Sequence, residues 1–234
     1  MSDKIQNARE NRSSKNEDSS HILRSFTEKN ETNVLLDRIN KLRTEFETNN
    51  TKSIFSSKQY KFDCANTILN TIDLETLLNS TLIILPNSYH LFFDYTIFKT
   101  FAVPELYEKI MNFAIEKISY CINTYGHYEM HVNFNTFSVS AFYRYKTIIE
   151  LYSHECNTNH KEFHEKIKKM HIYNIPVTIE TISQLIGPLM PLQVRQKVVK
   201  YDKFASEKPL KTIDEILHTM SSPSPQNTIV FQTS

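Results

Sequence analysis

Histidines supply the first chemistry to weigh. His127, Glu129 and His131 alternate along one short stretch, so in an extended strand all three point to the same face. A second stretch holds His154, Cys156, His160 and His164, with His160 and His164 one helical turn apart. Imidazole, thiolate and carboxylate are zinc-ligating groups, and a zinc site wants about four of them converging at ~2.0–2.3 Å. Neither group has the separated ligand pairs of a common zinc motif. The expectation is therefore no metal ligand and no cofactor, with the second group read as a polar loop between helices; spacing alone leaves its capacity for metal open. No catalytic constellation stands beside them. G-x-S-x-G, C-x-x-C and H-E-x-x-H are all absent, and Gly126 and Gly187 are the only two glycines, which excludes a Gly-rich phosphate loop or dinucleotide fingerprint. Cys121 falls on an apolar helical stripe and reads as a small buried residue. The chain is expected to be no enzyme.

These residues need elements to position them. Tyr128–Phe134 alternates, with Met130, Val132 and Phe134 on one face and Glu129, His131 and Asn133 on the other. Thr81–Leu85 and Tyr89–Phe98, parted by Pro86, Asn87 and Ser88, read as an antiparallel hairpin. Pro104 opens a helix that runs to Tyr125 and ends at Gly126. A helix from Val139 to about His154 carries Phe142, Ile148, Ile149 and Leu151 inward, and another spans Lys161–Lys169. Then come an apolar run His171–Ile175 ending at Pro176, a helix around Thr178–Met190, and a second apolar run Lys197–Tyr201. That is strand, helix, strand, with a crossover long enough to join parallel strands. Upstream, Leu35, Ile39, Leu42 and Phe46 form one helical stripe beginning near Val34, with Thr32 or Asn33 as cap, and a helix is expected from Ile54 to Leu78. Helices between strands imply an α/β fold with a mostly parallel sheet, preceded by a small helical N-terminal region.

Length and composition set the bounds. The 234 residues allow one ordinary domain with appendages. A net charge of +1 gives no electrostatic case for nucleic acid or for an anionic membrane. Three cysteines make no disulfide framework, so a reducing, cytoplasmic setting is expected. The N-terminal stretch lacks an apolar core, so it reads as neither signal peptide nor anchor. The polar residues 1–30 and the tail 220–234 are expected to be disordered, although Ile229–Phe231 could form a short partner-binding strand. Abundant Asn, Lys and Ile suggest an AT-rich coding source such as a parasite or a large DNA virus.

The order of residues from Lys169 to Asp202 resembles the end of a CRAL-TRIO lipid-binding domain, the fold of phosphatidylinositol-transfer proteins. In that family a strand ends in Asn-x-Pro, an apolar helix follows, then an Arg-x-Lys strand and a short helix. Here these are Asn174 and Pro176, the helix around Thr178–Met190, Arg195 and Lys197, and Leu210–Leu217. Lys61, Phe62, Asp63 and Ala65 are similar to the family's helical entry. The resemblance divides the chain into a helical region 31–79 and a CRAL-TRIO-like domain 80–219. It implies non-enzymatic binding of a phospholipid or other hydrophobic ligand between the sheet and a C-terminal gate, with peripheral membrane contact or a protein partner. The lipid-pocket candidates are Phe92, Phe98, Phe134, Phe137, Phe142, Ile179, Ile182 and Ile186, which would otherwise simply fill a core. Arg195 and Lys197 become headgroup candidates, since phosphate is held by charge-assisted bonds. This chain lacks the family's Asp-x-x-Gly turn after the central strand and its glycine-rich gate ending. The rival reading is therefore a structural or scaffold protein that keeps the fold without lipid exchange.

Overall fold

The computed structural model describes residues 28–50 and 57–219. The chain is α/β, with a five-stranded sheet in the order β1-β2-β3-β4-β5. Helices α1 (Glu28–Asn49), α2 (Ser57–Leu69) and α3 (Leu74–Thr81) lead into β1 (Leu82–Ile84), which pairs antiparallel with β2 (His90–Asp94). Helix α4 (Tyr95–Phe101), a short 3-10 turn Pro104–Leu106 and α5 (Tyr107–Tyr125) connect to β3 (Tyr128–Asn133). Helices α6 (Val139–Thr158) and α7 (Glu162–Lys166) lead to β4 (Ile167–Tyr173). Helix α8 (Ile179–Ile186), a 3-10 turn Gly187–Leu189 and α9 (Leu192–Arg195) lead to β5 (Val198–Lys200), and α10 (Lys203–Thr219) closes the described chain. Strands β2 to β5 are all parallel.

Strand order follows chain order, and this decides where the helices go. Right-handed crossovers that always step in the same direction lay their helices on one face of the sheet. On that front face Leu82, Leu91, Tyr128 and Ile167 pack with Ile118 and Cys121 of α5, Cys156 of α6, Phe163 of α7 and Val194 of α9. The N-terminal helices join the larger core through Leu35, Ile39, Ile68 and Leu77, which meet Tyr95, Ile97 and Phe101 of α4 and Phe142, Tyr145 and Ile182 beyond. The back face carries α10, whose Ile213 and Leu217 pack on Ile83, Leu85, Phe92 and Tyr173.

Several expected boundaries shift, each for a local reason. The expected strand Tyr89–Phe98 stops at Asp94, whose carboxylate accepts the Thr96 amide at 2.7 Å and caps α4. Asp73 does the same for α3, accepting from the Thr76 amide at 2.9 Å, so the expected single helix Ile54–Leu78 is two. The expected helix Lys161–Lys169 ends at Lys166, because Ile167 enters the core and β4 begins there. Helix α1 starts at Glu28, earlier than Val34, so Glu28–Asn30 of the expected tail are helical. Gly126 does end α5, at φ +78° with its amide bonded to Ile122 O. The rest of the expected N-terminal tail, the C-terminal tail with Ile229–Phe231, and residues 51–53 of the loop expected at 48–53 lie outside the described residues, while Thr48 and Asn49 of that loop end α1. Among the described residues no helix is long and apolar enough to cross a membrane.

Candidate functional site

An apolar cavity of about 290 Å³ lies between the front face of the sheet and its helices. Alternation along the strands builds its floor: Leu82, Phe93, Met130, Val132 and Met170 all point forward. Ile110, Ala114 and Ile118 of α5 form one wall, Tyr145, Ile148, Ile149 and Tyr152 of α6 another, and Ile186 closes it from the end of α8. Of the residues singled out from sequence, Phe98, Phe134, Phe137 and Ile186 line this space. Phe142 and Ile182 instead fill the solid core, exposed by 2% and 1%. Ile179 starts α8 and is outside the lining. Phe92 points to the back of the sheet, under α10.

The two headgroup candidates are elsewhere. Lys197 donates from its ammonium to the carbonyls of His164 (3.1 Å) and Glu165 (3.2 Å), satisfying the last turn of α7. Arg195 is exposed on α9. The cations that do converge come from Arg43 on α1, Lys61 on α2, Lys99 on α4 and Arg144 on α6. Together with Tyr60, Thr136 and Ser138 they line a second cleft of about 290 Å³, in which Glu47 is the one acid. The Lys99 ammonium donates to Thr136 Oγ1 at 2.6 Å, and burial, then Arg43, holds its pKa below the usual lysine value. Ser138 caps α6 by accepting from the Ala141 amide, so the positive end of a twenty-residue helix adds to this field. Tyr95 is common to both walls, between the basic cleft and the apolar cavity. Its hydroxyl is pushed far up by burial.

The back face of the sheet carries a polar row. His90 pairs with Glu129, and His131 pairs with His171, across β2, β3 and β4. His90 Nδ1 lies 2.9 Å from His131 Nε2, and His131 Nδ1 lies 2.8 Å from the Tyr173 hydroxyl. His171 Nε2 meets Glu129 Oε2 at 3.3 Å, while His171 Nδ1 meets the Tyr201 hydroxyl at 3.0 Å. The His131 and His171 rings stack at 4.7 Å and 8°. Burial, reinforced by His171 and His90, pushes the His131 pKa down to about 3, and burial also lowers His90 despite Glu129.

Sequence reasoning placed Glu129 and His131 on one face but missed His90 and His171. The signal was an outward histidine on each of three successive strands, which becomes visible only when the register is known. His127 stays apart, its ring edge-on to Tyr89 at 4.2 Å. The other histidine group does not gather. His154 is exposed, Cys156 is 3% exposed in the core with its thiol pushed up to about 11 by burial, and His160 stacks on Phe163 at 4.8 Å.

No protein-family model matches the chain, and no curated protein matches it in sequence. Among solved structures, the crystal structure of Sfh5 is similar to it at a TM-score of 0.44 and 13% identity, over 61% of this chain and 60% of that one. The similarity thus spans less than two thirds of Sfh5.

Proposed function

We propose that this protein is a non-enzymatic binding protein for a single-chain amphipathic ligand, with the apolar tail in the front cavity and an anionic head toward the basic cleft. The carrying observation is the cavity itself, floored and walled by apolar side chains. Size then narrows the ligand. An engineered apolar cavity of ~150 Å³ takes one benzene, so about 290 Å³ takes roughly a dozen carbons. That suits one acyl chain and is too small for the two chains of a phospholipid. The cavity is open to solvent on one side, so a tail can enter, and each methylene it takes out of water adds ~0.8 kcal/mol. Lys99 and the three cations around it supply a complementary charge for a carboxylate or phosphate head, and Tyr95 borders both spaces. The resemblance of Lys169–Asp202 to a CRAL-TRIO domain supports a hydrophobic ligand in general; the restriction to a single chain rests on the size of the cavity.

The test has two arms. Purified full-length protein is extracted with organic solvent and its native and denatured masses compared. Stripped protein is then titrated with a fluorescent fatty acid of about a dozen carbons. Saturable one-to-one uptake is expected, weakened when Lys99 and Arg144 are both replaced by glutamine. Protein that carries no lipid and takes up no probe would overturn the proposal and leave the scaffold reading.

A further inference from the structure

We propose that the back face of the sheet holds a Zn²⁺ ion on His90 Nδ1, His131 Nε2 and a Glu129 carboxylate oxygen. This site is independent of the front cavity: alternation along β3 sends Glu129 and His131 backward and Met130 and Val132 forward.

The geometry is that of a metal site. The three donor atoms lie within 4.8 Å of one another. His90 Nδ1 is 2.9 Å from His131 Nε2 and 3.8 Å from Glu129 Oε2. Tetrahedral zinc with bonds of ~2.0–2.1 Å sets its ligands about 3.3 Å apart, a value between these two distances. The two distances from His90 each lie about half an ångström from that value, and the Glu129–His131 pair, within 4.8 Å, is brought in by side-chain rotation. The donors are held by three adjacent hydrogen-bonded strands, a rigid support for such a constellation.

Behind two of the three donors, His131 and Glu129, an orienting group is also in place. A ligating histidine needs its far nitrogen held so that the near one faces the metal, and a ligating carboxylate needs a hydrogen bond of its own. The Tyr173 hydroxyl holds His131 Nδ1, leaving Nε2 toward the centre. His171 holds Glu129 Oε2 and is itself held by Tyr201. These contacts form two orienting chains, Tyr173–His131 and Tyr201–His171–Glu129, that end at the same point. Two imidazoles and one carboxylate are a donor set for zinc and its late first-row neighbours. Calcium and magnesium want oxygen ligands throughout. Three protein ligands leave one coordination position for water or a small anion, and it is reachable because the His90 side chain is 30% exposed.

Full-length protein made without a histidine tag, and stripped with chelator, is titrated with Zn²⁺ against a chromophoric competitor. One equivalent per chain is expected. Glu129→Gln keeps the shape of the side chain and removes its charge, and it should weaken binding more than a hundredfold. Tyr173→Phe touches only the orienting hydroxyl, and a 10- to 100-fold loss is expected at about that range for outer partners. His160→Ala should change nothing. Visible absorption of the Co²⁺ form of the unmodified protein, intense for four-coordinate and weak for octahedral geometry, reads the site without any substitution. Absence of stoichiometric uptake, or Glu129→Gln binding as tightly as the parent, would show that the row is a hydrogen-bond network alone.

Discussion

Replacing Ala114 with phenylalanine separates a hollow front face from a packed one. Ala114 lies on α5 and lines the cavity, so its new ring projects into the open volume. A phenyl group fills roughly 150 Å³, judged from a cavity that takes one benzene, which is about half of the 290 Å³ present. A closed void costs ~24 cal/mol per Å³, and because this cavity is open on one side, ~3.6 kcal/mol is the ceiling on what the ring returns. The change from alanine gives back about 0.5 kcal/mol of helix propensity, and imperfect fit takes more. A net gain of roughly 2 kcal/mol is expected, or a Tm rise of about 4–8 °C for a chain of this length. In the same variant, uptake of the fluorescent fatty acid should fall at least tenfold, because the remaining half-cavity no longer holds the tail. Differential scanning calorimetry and fluorescence titration read the two effects. Unchanged uptake would show that the tail does not enter here. A Tm that falls by several degrees would show that the space is already packed.

Three further substitutions test the elements that hold the sites. Gly126→Ala should cost about 1 kcal/mol by urea unfolding, entirely from backbone strain, since φ is +78° and nothing lies within 4 Å of the added methyl. Ser206 is fully buried and accepts the Asn174 amide at 2.7 Å; Ser206→Ala strands that donor and should cost about 1–3 kcal/mol by the same assay. Asp73→Ala removes the cap of α3 and should cost about 1 kcal/mol at pH 7. The backbone and side-chain hydrogen bonds of Thr76 hold the Asp73 carboxyl below its usual range. Its contribution is therefore complete above the unfolded value of about 3.9 and lost as pH falls through the depressed folded value, so parent and variant should converge in acid.

The frame of the molecule was legible because periodicity reports which face is buried. The alternation of Tyr128–Phe134 and the crossover between His171 and Tyr201 sufficed for a mostly parallel sheet. Boundaries failed where a single side chain decides them: Asp94 turns a run rich in Phe and Tyr from strand to helix, and no period announces a cap. The cavity was half legible. Apolar type marked Phe98, Phe134, Phe137 and Ile186, yet the same type marked Phe142 and Ile182, which are solid core. Only packing distinguishes a wall from a filling. The basic cleft, and the part of the histidine row beyond Glu129 and His131, were illegible for another reason. Arg43, Lys61, Lys99 and Arg144 come from four helices, and His90, Glu129 and His171 from three strands, so their nearness is a product of register and docking angle.

The simple strand order has a consequence for how the molecule forms. Each strand from β2 onward pairs with the one made just before it, so no partner has to be awaited from far along the chain. Every closure spans one crossover, and the entropy of closing grows only with the logarithm of that span. A chain emerging from the ribosome can therefore add one strand and its helices at a time to a sheet already begun. Helix α10 is the exception. It is the last of the described elements and crosses to the other side, touching β4 and the distant α1. Until it docks, Ile83, Leu85, Phe92 and Tyr173 stand open to water, so its docking is also the step that covers this apolar part of the back of the sheet.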